Sequence, residues 1–190
     1  GLKVIPAYAF RELTALKTVN LSEGIEKISN SAFYNCDNLT SITLGDSVTT
    51  IGDAAFASCD SLTSVTIPDS VTTIGYEAFE NCTSLTSVTI PDNVTTIGDY
   101  TFRNCDSLTS VTIPDSVTTI GDRAFADCTS LTSVYCKATT PPSLGDDAFK
   151  YYDYPYSINI GCTIYVPRGC GSAYKSAPNW SDYAAYIVEY

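Results

Sequence analysis

Leu62 to Ser84 reads LTSVTIPDSVTTIGYEAFENCTS, Leu85 to Ser107 reads LTSVTIPDNVTTIGDYTFRNCDS, and Leu108 to Ser130 reads LTSVTIPDSVTTIGDRAFADCTS. The three stretches align without a gap at a period of 23 residues. Leu39 to Ser61 and Leu16 to Asn38 follow the same frame more loosely. A period of this size marks a stack of supersecondary units, each unable to bury its apolar face alone.

The apolar columns set the local structure. Leu16, Leu39, Leu62, Leu85, Leu108 and Leu131 form one column. Val19, Ile42, Val65, Val88, Val111 and Val134 form a second, and Leu21, Leu44, Ile67, Ile90, Ile113 and Cys136 a third. The second and third lie two residues apart, which is strand periodicity, so Thr66 between them faces outward. A Pro-Asp turn, as at Pro68-Asp69, closes the strand because proline cannot donate to a ladder. Val71 to Ile74 then reads as a second extended stretch, Gly75 as a bend, and Asp53 to Cys59 as a short helical turn. Asp53 stands where it would cap that turn's own N–H groups. The expected fold is a β-rich repeat solenoid with parallel short strands, a second extended stretch and a helical turn per coil. Phe10, Phe33, Phe56, Phe79, Phe102, Phe125 and Phe149 are expected to stack as an aromatic spine.

Composition narrows the function. The chain has 190 residues and a net charge of −11. So acidic a chain is repelled by phosphate backbones and anionic membranes, which argues against nucleic acid. Histidine is absent, and with it the commonest general base and the usual nitrogen ligands of zinc. No apolar run reaches the ~20 residues of a membrane span. Methionine is also absent, even at position 1, so the chain reads as mature or trimmed, its leader removed.

The strand pattern Leu-x-x-Val-x-Ile resembles that of leucine-rich repeats. The whole unit, Pro-Asp-x-Val-Thr-x-Ile-Gly, then Ala-Phe, then Cys-x-x-Leu, resembles the BspA-like leucine-rich repeats of bacterial surface proteins over residues 2 to 149. One departure concerns the asparagine that ladders after the strand in the wider class: Ser47, Ser70 and Ser116 replace it, and Asn93 alone matches. The resemblance implies a secreted or cell-surface protein that acts in adhesion.

Residues 1–149 are expected to form the solenoid and residues 150–190 a C-terminal cap integral to the same domain. The chain opens inside a coil, so its first end is covered either by something upstream or by a thin lid of Leu2 and Val4. Toward the other end, Ile164 to Pro167 restores the strand ending, and Tyr174, Trp180, Tyr183 and Ile187 are candidates to pack over the last coil.

Several features are candidate sites. Cys36, Cys59, Cys82, Cys105 and Cys128 recur every 23 residues and read as a ladder of buried thiols. Cys162 and Cys170 flank the last strand and are candidates for a disulfide in an oxidising compartment. Asp46, Asp69, Asp92 and Asp115 form a column suited to turn chemistry rather than to calcium, since each coil offers about one carboxylate per column. Ser64, Thr66, Ser87, Thr89, Ser110 and Thr112 face outward from the strands, and Tyr135 breaks that threonine column. Tyr151, Tyr152, Tyr154 and Tyr156 crowd an insertion and, with Tyr165, either form a recognition surface or simply cover the last coil. Tyr76, Glu77, Tyr100, Arg103 and Arg123 break the repeat near the turn and mark a rival surface.

The expectation is a monomeric binding or adhesion module for an extracellular protein or glycan, needing no cofactor or metal and inserting in no membrane. A non-binding spacer within a larger surface protein is the alternative. A carbohydrate-active enzyme is remoter, because no coil sets an unusual carboxylate beside an unusual base.

Overall fold

A computed structural model describes residues 1–21, 23–153 and 156–190. In chain order the strands are β1 (Val4–Ile5), β2 (Thr18–Asn20), β3 (Lys27–Ile28), β4 (Ser41–Thr43), β5 (Thr50–Ile51), β6 (Ser64–Thr66), β7 (Thr73–Ile74), β8 (Ser87–Thr89) and β9 (Thr96–Ile97). They continue with β10 (Ser110–Ile113), β11 (Thr119–Ile120), β12 (Ser133–Cys136), β13 (Ser143–Leu144), β14 (Lys150–Asp153), β15 (Tyr156–Asn159), β16 (Thr163–Val166) and β17 (Ile187–Glu189). Helix α1 (Gly171–Ser176) and a 3-10 helix (Trp180–Tyr186) precede β17.

Odd-numbered β1 to β13 form a seven-stranded sheet, and β2 to β12, β16 and β17 an eight-stranded one. Every pairing in both is parallel, and from β1 to β12 each is in register with the repeat, Val65 opposite Val88 and Ile51 opposite Ile74. The strands are short because each needs only two or three residues to turn one or two side chains inward. Leu62, Val71, Phe79 and Leu85 are fully buried, and Val65 and Val88 nearly so. The phenylalanine rings stack at 5.0–5.5 Å, within 12° of parallel, from Phe10 to Phe149.

The third side of each coil differs from the helical turn expected. Ala54 and Ser58 have positive φ, +50° and +58°, and the same two positions do so in the neighbouring coils. A right-handed helix has negative φ throughout. Instead, alternate N–H groups bond locally and to the next coil: Ala55 and Ala57 donate to Gly52 and Ala54, while Ala54, Phe56 and Ser58 donate to Tyr76, Ala78 and Glu80. A lone helical turn is costly to nucleate and leaves its end groups unpaired. Stacked turns use those groups as a third ladder.

The aspartate is likewise shared between coils rather than capping its own turn. Asn30 Oδ1 accepts from Asp53 N–H, Asp53 Oδ1 from Tyr76, Asp99 Oδ1 from Asp122, and Asp122 Oδ1 from Asp146. The glycine column follows from this packing. A Cβ on Gly75 would lie 2.5 Å from Asp53 Oδ1, so only glycine lets the coils approach. Hydroxyls replace the asparagine ladder: Ser70 and Ser116 donate to the carbonyls of Val48 and Val94, while Asn93 donates to Asp69.

At the C-terminal end β14 and β15 form an antiparallel hairpin, after which the chain re-enters the eight-stranded sheet as β16. Trp180 and Tyr183 are buried over Phe149, Tyr183 edge-on at 5.6 Å, and Tyr174 is buried edge-on against Trp180. Their polar tips find backbone partners: Trp180 Nε1 donates to Pro142, Tyr174 Oη to Ala138, and Phe149 N–H donates to Tyr183 Oη. At the N-terminal end Phe10 is half-buried, and Leu2 and Val4 are too exposed to form the thin lid.

Candidate functional site on the turn face

The repeat is broken most on the turn face. Residues at one of its left-handed positions run Ser31, Ala54, Glu77, Tyr100, Arg123, Asp147. Because the neighbouring N–H groups are held by the stacked ladder, these side chains can vary without loss of backbone pairing. Three successive coils use that freedom to place aromatic and arginine side chains together.

Tyr76 meets Tyr100 edge-on at 5.6 Å. The guanidinium of Arg103 lies over the Tyr100 ring at 5.5 Å, and that of Arg123 at 5.8 Å. Arg123 also lies 4.6 Å over Tyr152, from the β14–β15 hairpin. Arg103 is neutralised by Glu80 at 3.3 Å and Asp127 at 3.5 Å. Arg123 makes no ion pair within 4 Å among the described residues; it is held between two tyrosine rings, with Nη1 3.5 Å from Tyr100 Oη. Contacts of this kind contribute about 0.5–2 kcal/mol each and fix a long side chain in one pose. Tyr152 is itself anchored, its N–H donating to Asp127 and its hydroxyl to Asp147. The side chain of Glu77, hydrogen-bonded to the Tyr76 phenol, pushes its pKa up to about 12, helped by partial burial and the acidic neighbours. Tyr76 therefore stays neutral over the physiological range.

The insertion tyrosines separate. Tyr152 joins this array, Tyr156 is exposed near the hairpin tip, Tyr151 is half-buried, and Tyr154 lies outside the described residues. Tyr165 is not with them: it stacks on Tyr135 on the strand face, rings 4.7 Å apart. On that face Ser64, Thr66, Ser87, Thr89, Ser110 and Thr112 are all exposed. Thr63, Thr86 and Thr132 beside them instead donate to the carbonyl of the preceding coil.

The cysteine column is buried, and each thiol has a task. Cys36, Cys59, Cys82, Cys105 and Cys128 donate at 3.0–3.3 Å to the carbonyls of Phe10, Phe33, Phe56, Phe79 and Phe102. Burial lifts Cys82 to about 12 and raises Cys36, Cys59 and Cys105 as well, so these four are inert thiols rather than nucleophiles. The disulfide expectation for Cys162 and Cys170 is corrected: both are free. Burial, and then the neighbouring Cys128, raises the pKa of Cys162, whereas Cys170 is half-exposed where α1 begins. No group of metal ligands forms among the described residues. The carboxylates of Asp53, Asp99 and Asp122 each accept an N–H of the next coil.

The repeat-breaking residues were visible in the sequence, but their junction with Tyr152 was not. That contact spans 29 residues and depends on how the hairpin folds back. Lining up the columns would have put Tyr100 beside Arg123; nothing in the period places the insertion.

A family model described as BspA type leucine rich repeat region matches residues 1–83 and 49–168, in six copies. A leucine-rich repeat protein from T. pallidum is similar, with 32% identity over 78% of this chain and 69% of that one, at a TM-score of 0.73. The pneumococcal vaccine antigen PcpA shares the fold at 13% identity and a TM-score of 0.54, over 92% of this chain and 54% of that one. Among curated proteins no significant match is found. With its unit repeated in register along both sheets, the chain belongs to the BspA-type leucine-rich repeat family.

Proposed function

We propose that the chain is a surface-displayed binding module, monomeric and non-enzymatic, that recognises an extracellular protein through its turn face. The observation carrying this reading is the array of Tyr76, Tyr100, Arg103, Arg123 and Tyr152, ordered by mutual stacking. Tyrosine and arginine dominate interface hot spots, and a pre-ordered cluster loses little entropy on binding. Two guanidinium groups already lie over Tyr100 and one over Tyr152, which leaves little ring face for a stacked sugar and favours a protein partner. The surrounding Glu77, Glu80, Asp127 and Asp147 disfavour polyanions. Display outside the cell follows from the family resemblance; no helix among the described residues is long and apolar enough to cross a membrane.

The test is surface plasmon resonance against a panel of immobilised extracellular-matrix proteins at physiological salt. The wild-type chain is compared with the Arg123→Ala/Tyr152→Ala double variant. Saturable binding that weakens at least tenfold in the variant supports the reading. Equal binding by both moves recognition off the turn face. No binding by folded protein favours the spacer alternative.

A further inference from the structure

We infer that the strand face carries a separate site for an uncharged sugar residue, built from an aromatic wall, Tyr135, and a floor of free hydroxyls on Thr112, Ser110 and Thr89. Tyr135 on β12 and Tyr165 on β16 are register partners, and their rings stack 4.7 Å apart and 9° from parallel. That separation equals the spacing of adjacent strands. Both rings therefore stand on edge, their planes crossing the sheet. One face of Tyr135 is covered by Tyr165. The other looks toward β10, where the register partner is Thr112. Threonine is far shorter than tyrosine, so the ring rises above it as a step, and Tyr135 is 38% exposed.

The floor before this wall belongs to the field of free hydroxyls that runs along the strand face, and only here does that field meet an aromatic step. The hydroxyls of Thr112, Ser110 and Thr89 make no hydrogen bond with the described protein, whereas Thr86 and Thr132 on the same strands' approach reach back to the previous coil. No charged side chain stands on the outward positions of β6, β8 and β10, although the chain as a whole carries −11 and the exposed Lys137 follows Tyr135 by two residues. An uncharged floor gives no counter-charge to an ionic ligand, and the acidic chain repels polyanions. A pyranose supplies what the step lacks: an apolar C–H face for the wall and hydroxyls along its edge for the floor. At van der Waals contact, ~3.5–4.0 Å from the wall, the sugar ring sits directly above Thr112. A protein partner would find no arginine and only this one free aromatic face here, a poor hot spot.

This site does not depend on the turn-face reading. It is tested by isothermal titration of the whole chain with neutral tetra- to hexasaccharides of glucose, mannose, galactose and N-acetylglucosamine, alongside a sulfated oligosaccharide. The expected result is saturable binding of at least one neutral oligosaccharide at millimolar or tighter Kd. Tyr135→Ala weakens it at least tenfold. Thr112→Arg, which fills the space before the wall, abolishes it, and decides the matter should Tyr135→Ala fail to fold. Thr43→Arg, three strands away on the same face, and Arg123→Ala on the turn face leave it unchanged. The inference is overturned if no neutral oligosaccharide binds, if Tyr135→Ala binds as wild type does, or if the sulfated probe binds in preference.

Discussion

Two joints between neighbouring coils, one on each side of Gly98, are built from nearly the same sequence and behave differently. Beyond Gly98 the joint is tight. Asp99 caps Asp122, Gly121 donates to Ile97 and Thr118 to Thr95, and a Cβ on Gly121 would come within 2.5 Å of Asp99 N. Before it Tyr76 takes the place of the aspartate. Asp99 N–H then has no cap, Thr95 and Gly98 have no counterpart bonds among the described residues, and only Ile74 pairs between β7 and β9, with Ile97. A Cβ on Gly98 would meet nothing nearer than 3.4 Å. The looser joint is where the turn-face array begins. Departure from the repeat for the sake of an exposed tyrosine costs a cap and two ladder bonds, the pattern expected when a functional residue overrides a structural one.

The largest expected effect sets the two glycines against each other. Gly121→Ala must push apart backbone of two coils and should destabilise by about 2–3 kcal/mol, the range of overpacked cores. Gly98→Ala finds ordinary contact distances and a backbone with negative φ. It should be neutral or stabilise by up to ~1 kcal/mol, through the lost entropy of the unfolded chain. Urea denaturation of both variants checks this, and equal destabilisation would remove the claim that the joints differ. Next, hydrogen exchange should find the amides of Thr95, Gly98 and Asp99 exchanging at least tenfold faster than those of Thr118, Gly121 and Asp122. A flat profile across the sheet would show the missing bonds to be without consequence.

A smaller effect attaches to the caps. Asp99→Ala leaves Asp122 N–H to solvent and should cost about 1 kcal/mol, as loss of a helix N-cap does. Tyr76→Ala removes no cap from Asp99, and should change thermal stability by less than about 0.5 kcal/mol while weakening partner binding. The pair is read by melting temperature and by the matrix-protein binding assay together.

How much of this was legible beforehand depends on what the period can express. In-register columns put Val65 on Val88 and Phe56 on Phe79 without any structure, because each coil meets its neighbour at the same position. Chemistry between coils was harder to read. Asp53 looked like a cap for its own turn, since sequence shows one coil at a time; its partner is 23 residues on, at Tyr76. Positive φ at Ala54 and Ser58 has no marker such as glycine, so a helical turn is the natural reading of the sequence. On the strand face the sequence shows Tyr135 breaking the hydroxyl column, but the stacking of Tyr165 against one side of it depends on β16 returning beside β12, which the period does not express.

The finest test restores the repeat at the broken joint. In Tyr76→Asp the new carboxylate stands one coil below Asp99 N–H, as Asp99 stands below Asp122. It should accept that N–H, draw the two coils together and stabilise the chain by about 0.5–1 kcal/mol, the gain of a cap at an exposed end. The same change removes the first ring of the turn-face array, so stability and partner binding should move in opposite directions. It also changes what Gly98 tolerates. Once the joint closes, a Cβ at position 98 meets the carboxylate as it would at Gly75, so Gly98→Ala, harmless alone, becomes destabilising beside Tyr76→Asp. A double-mutant cycle should give a coupling of 1 kcal/mol or more, where sites without shared partners add to within about 0.5 kcal/mol. Additive behaviour would mean that the width of the joint is not set by residue 76, and that the tyrosine occupies a gap it did not make.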